Sequence, residues 1–168
     1  GEVVASIPGL GPASGIALHD DGVRRLLVVT LPGDPLERET AKVRVFDVTD
    51  ALDIKPVSTF DLPEGTVPVR QGRAEIARSG RTGLIALELP VPALLSFDLE
   101  TGQQLGAITL DGPTDRISVV DAKDESRIAL VSAESNKVSI VSLNDIGVLL
   151  PVSAFELPPD APVSAANN

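Results

Sequence analysis

Three stretches of this chain share one layout. Residues 16–30 read IALHDDGVRRLLVVT, residues 74–88 AEIARSGRTGLIALE and residues 117–132 ISVVDAKDESRIALVS; each passes from a short alternating run through a polar turn into a longer apolar run. A third run follows each of them: VRVFDVTD (43–50), LLSFDLET (94–101) and VSIVSLND (138–145). A fourth closes the unit: VSTFDLP (57–63), LGAITLD (105–111) and VSAFELP (152–158). Phe46, Phe97 and Val141 are equivalent and recur at intervals of 51 and 44 residues, the longer interval carrying the inserted segment LPGDPLERETAK (31–42). Recurrence of this kind constrains the fold more than any local propensity, because each copy is one supersecondary unit that cannot bury its apolar face alone and must stack on its neighbours.

The runs alternate at period two or form short buried strands, and none holds a helical period over the ~11 residues needed. Four antiparallel strands every 40 to 50 residues specify the blade of a β-propeller. The fold class read here is therefore all-β, with four-stranded antiparallel blades over residues 15–63, 74–111 and 117–158, and a linker or tail over 159–168. Residues 1–14 contain EVVASIP, which resembles the fourth strands and is read as the outer strand of an incomplete blade. The expected core is Ile16, Leu18, Leu27, Val29, Val43, Val45, Ile76, Leu84, Ala86, Leu95, Phe97, Ile117, Val119, Ile128, Leu130, Val138 and Ile140. Within this frame RRLLVVT (24–30), FDLETG (97–102) and NKVSIV (136–141) resemble the YVTN and lactonase-like propeller repeats, although Leu27 stands where that pattern has Tyr. Complete propellers have about four or more blades, so three blades and an unmatched outer strand are expected to be part of a larger ring.

Composition then excludes several functions. A formal net charge of −10 with scattered Lys and Arg argues against nucleic acid. The four aromatics are all Phe, which leaves no Trp or Tyr platform for bases or sugars. Absence of Cys removes disulfides, thiolate metal sites and cysteine nucleophiles. No apolar run approaches the ~20 residues of a membrane helix. Met is absent even at position 1, which suggests a processed product or an excised piece.

No residue cluster carries a catalytic signature, and no catalytic, cofactor or metal residue is assigned. His19, the single histidine, reads as a turn or surface residue. Asp20 and Asp21, and Asp47, Asp50 and Asp53, read as turn aspartates, since a calcium loop needs more oxygen ligands at regulated offsets. The two proline-stiffened irregular segments, 31–42 and 62–72, are the candidate binding loops, through Pro32, Asp34, Glu37, Arg38, Glu64 and Arg70. The leading functional expectation is a non-enzymatic interaction or structural scaffold in a larger or oligomeric extracellular or periplasmic assembly. The alternative, a lactonase-like or other hydrolytic propeller, is implied by the resemblance alone. The expected partners are additional propeller blades, from the same longer chain or from a second copy.

Overall fold

The computed structural model describes residues 6–10, 13–33, 40–65, 67–68, 74–77, 80–121, 126–132 and 134–158, and these contain strands and turns but no helix. The first sheet is built from β1 (Gly15–Asp20), β2 (Arg25–Leu31), β3 (Lys42–Asp47) and β4 (Lys55–Asp61), hydrogen-bonded in chain order. The reversal between β1 and β2 is enforced locally. Asp20 Oδ1 accepts the Gly22 amide at 2.9 Å, Asp21 Oδ1 accepts those of Val23 and Arg24, and Gly22 sits at φ 83°. The third sheet repeats the plan with β10 (Arg116–Asp121), β11 (Ser126–Ser132), β12 (Lys137–Leu143) and β13 (Leu149–Glu156). The expected four-stranded antiparallel sheets are thus present.

The middle sheet departs in one respect. Its inner position is shared by two short strands, β5 (Val67–Pro68) and β6 (Ala74–Ile76), which pair with opposite ends of β7 (Thr82–Leu89); β8 (Ala93–Asp98) and β9 (Gln104–Thr109) complete it. Part of the segment read as a loop, 62–72, therefore contributes to the sheet.

Two apolar layers hold the sheets together. Between the first and second lie Leu26, Val28, Val43, Val45, Ile85, Leu95 and Phe97; between the second and third lie Leu84, Ala86, Leu94, Ile117, Ile128, Leu130 and Val141. Covered on both faces, the middle sheet has a β7 that reads Leu84-Ile85-Ala86-Leu87 with no residue of the four more than 3% exposed. That is the pattern of a strand buried on two sides.

Two expected core residues are exposed. Ile16 and Leu18 are each 64% exposed, whereas the matching residues of the later repeats, Ile76 and Ile117, are 9% and 2% exposed. The difference lies in what stands opposite. Ile76 and Ile117 point at the preceding sheet, and the described chain places no sheet in front of β1. At the other end Val120 is 63% exposed, although Ala77 at the same repeat position is 1% exposed against the third sheet. Leu27, Val138 and Ile140 are half-buried for the same reason.

Each outer strand carries a register shift at the same repeat position, skipping Val57, Leu105 and Val152 respectively. Of the strand expected over Glu2 to Pro8, residues 1–5 lie outside the described residues. Ser6, Ile7 and Pro8 belong to no sheet; with Arg44, Phe46 and Leu52 they line a cavity of about 340 Å³ on the open face of the first sheet.

Candidate functional site

The binding loops expected from sequence fall mostly beyond view. Asp34, Glu37, Arg38 and Arg70 lie outside the described residues; Pro32 and Glu64 are exposed and follow the ends of β2 and β4, which finish at the same end of the first sheet.

His19 departs from its expected surface role. It lies on the face of β1 turned toward the second sheet, with a side chain 9% exposed. Among the described residues the buried Nε2 has no hydrogen-bond partner, and it lies 3.9 Å from Asp21 Oδ2. It sits so close over Gly80 that a Cβ there would lie 2.8 Å from Nε2. Asp21 is already committed: the amides of Arg24 and Val23 hold its carboxyl below the usual value. Asp47 accepts the Thr49 amide and Asp50 that of Leu52, while Asp53 meets Lys55 at 2.9 Å. Among the described residues no three His, Asp or Glu side chains stand close enough to hold a metal.

The most elaborated polar structure is the corner between the third and fourth strands of each unit, where neighbouring sheets engage. In the middle sheet this corner is Phe97-Asp98-Leu99-Glu100-Thr101-Gly102. Asp98 Oδ1 accepts the amides of Glu100 (3.0 Å) and Thr101 (2.8 Å) and the Thr101 hydroxyl (3.1 Å), and Oδ2 accepts Arg81 Nε at 3.0 Å. Burial pushes the Asp98 carboxyl up, but the Thr101 amide and Arg81 outweigh it, and the group is held below its ordinary value.

The corner receives the outer strand of the first sheet. Ser58 Oγ donates to the Leu99 carbonyl at 2.6 Å, Phe60 lies 4.8 Å from Phe97 between ring centroids, and Gly102, at φ 72°, lies under the Phe60 ring. A Cβ on Gly102 would come within 2.5 Å of that ring. Arg24 ties the same corner to the first sheet by donating to Glu100 at 2.9 Å and Asp47 at 3.3 Å. At the next interface Gly106 replaces Ser58 and has no hydroxyl. Its cross-strand partner Ser96 supplies one, donating to the Gly147 carbonyl at 2.5 Å, while Gly147, at φ 82°, lies under Leu105. Sequence reading missed these corners as sites of engagement, although the glycines at 102 and 147 were a visible signal.

No protein-family profile and no curated protein matches the sequence. Solved structures do. A protein described as a 6-phosphogluconolactonase from Bacteroides fragilis superposes with a TM-score of 0.64 at 15% identity, over 90% of this chain and 41% of its own. BamB from Moraxella catarrhalis gives 0.58 at 13% identity, over 86% and 38%. Hsv2 from Kluyveromyces lactis gives 0.59 at 12% identity, over 88% and 48%. At these identities the likeness is one of fold. The chain spans less than half the length of each.

Proposed function

We infer that this chain is a three-blade portion of a larger β-propeller of the YVTN and lactonase-like type, acting as an interaction or structural scaffold in an extracellular or periplasmic assembly. One observation carries the reading: repeat positions buried at the two internal interfaces are exposed at both ends of the array, Ile16 and Leu18 on the first sheet and Val120 on the third. Apolar side chains left exposed together on a sheet face mark an interaction surface. Blades following β13 and preceding β1 would cover them, and residues 1–8 would supply the outer strand of the preceding blade. A rigid stack whose loops leave from the ends of the strands suits recognition.

The solution behaviour of the 168-residue chain tests this. It should bind a hydrophobic dye through the apolar side chains left open on its end sheets. A monodisperse 17.5 kDa monomer that leaves the dye dark at high concentration would overturn the reading.

A further inference from the structure

The outer strand of the third sheet repeats that of the first almost letter for letter. Val152, Ser153, Phe155, Leu157 and Pro158 match Val57, Ser58, Phe60, Leu62 and Pro63, and only Thr59/Ala154 and Asp61/Glu156 differ. The geometry matches too. Each strand skips one residue, at Val57 and Val152; Phe60 pairs with Val43 and Phe155 with Val138; the Leu62 amide donates to Ala41 at 2.7 Å and the Leu157 amide to Asn136 at 2.8 Å. In the first sheet this surface is engaged by the Asp98–Gly102 corner. In the third no described residue takes that corner's place, and Phe155 is 51% and Val152 49% exposed.

We propose that the rim of the third sheet, Ser153 and Phe155, is a docking surface for a propeller blade outside this sequence whose third-to-fourth-strand corner carries a left-handed glycine beneath Phe155 and a free backbone carbonyl for the Ser153 hydroxyl. This rests on the reading of the chain as part of a larger propeller and names what the next blade must present. A second copy of the chain does not fit. Its Gly102 and Gly147 corners already lie under Phe60 and Leu105. Its remaining corner, Val48-Thr49-Asp50-Ala51-Leu52-Asp53, has no glycine, and that face is partly occupied by its own Ile7 and Pro8, with Arg44 donating to the Gly9 carbonyl at 3.5 Å. The match is confined to the rim: nearer the axis, Arg127 stands where the first sheet has Leu26.

The chain has no cysteine, so Val120→Cys places a single thiol on the open face. The probe is a chain extended directly after Pro158 by a second copy of residues 64–111, in place of 159–168. This reproduces the Leu62-Pro63 junction and presents the glycine corner to Phe155. The extension should slow modification of the introduced thiol by a maleimide roughly tenfold or more, as docking that opens only transiently does. Gly102→Val within the copy should restore fast labelling, and Ser153→Ala should recover it in part. Protection that survives the glycine substitution would leave the larger-propeller reading standing and sink the corner match. An extension that stays unfolded, or leaves the thiol as reactive as before, overturns the proposal. So does protection in the unextended chain that grows with its own concentration, which would make a second copy the occupant.

Discussion

Ile16 and Ile117 occupy the same position of their repeats, yet one is 64% and the other 2% exposed. The same substitution at both sites should therefore have unequal cost. Ile117→Ala removes three carbon atoms from the layer between the second and third sheets, where close packing restricts collapse around the cavity, and should cost about 3 kcal/mol. At this chain length each kcal/mol lowers the midpoint by 2–4 °C, so the expected shift is roughly 6–12 °C. Ile16→Ala removes atoms that already face solvent and should stay within about 0.5 kcal/mol. Urea and thermal melts followed by far-UV circular dichroism, with the wild-type urea slope retained, measure both. Equal losses at the two positions would refute the reasoning, because β1 would then be covered as β10 is.

Three further outcomes follow from the interfaces. Gly102→Val puts a β-branched residue at a left-handed φ and against the Phe60 ring, and should cost roughly 3 kcal/mol in a chemical melt. Asp98 has a folded-state carboxyl below its ordinary value, so its stabilisation is complete above the unfolded pKa and lost as pH falls through the folded one; Asp98→Asn should lower stability at neutral pH and flatten its decline below about pH 4, read from melts across a pH series. His19→Leu removes a buried nitrogen that has no partner among the described residues and puts an aliphatic side chain where the later repeats have Ala77 and Val120, and should raise stability by about 1 kcal/mol in thermal melts.

The sheets were legible because period-two runs recur at a fixed interval, and turn chemistry at Asp20-Asp21-Gly22 and Asp98 marks their reversals. Burial was less legible. Alternation tells which residues share a face but not whether another sheet covers it, so Ile16 and Leu18 read like Ile76 and Ile117. His19 read as a turn residue because it directly precedes Asp20-Asp21-Gly22, and the small Gly80 that makes room for it between the sheets lies sixty-one positions away. β5 escaped notice because Pro68 argues against a central strand; it holds an inner edge instead. The corner contacts combine a strand hydroxyl with a glycine some forty residues later, a pairing that the repeat alignment permits but does not single out.

The bulges in the outer strands bear on how the molecule meets other chains. An exposed, regular strand edge recruits further strands without limit, and a bulge twists the edge out of register with an incoming chain. Here β4, β9 and β13 are all bulged, and Pro56 and Pro151 beside two of the bulges remove amide donors. Growth sideways into fibrils is therefore blocked at each rim. What remains adhesive is the pair of end faces of the stack, which directs association toward the packing of whole sheets on those faces and away from the addition of single strands.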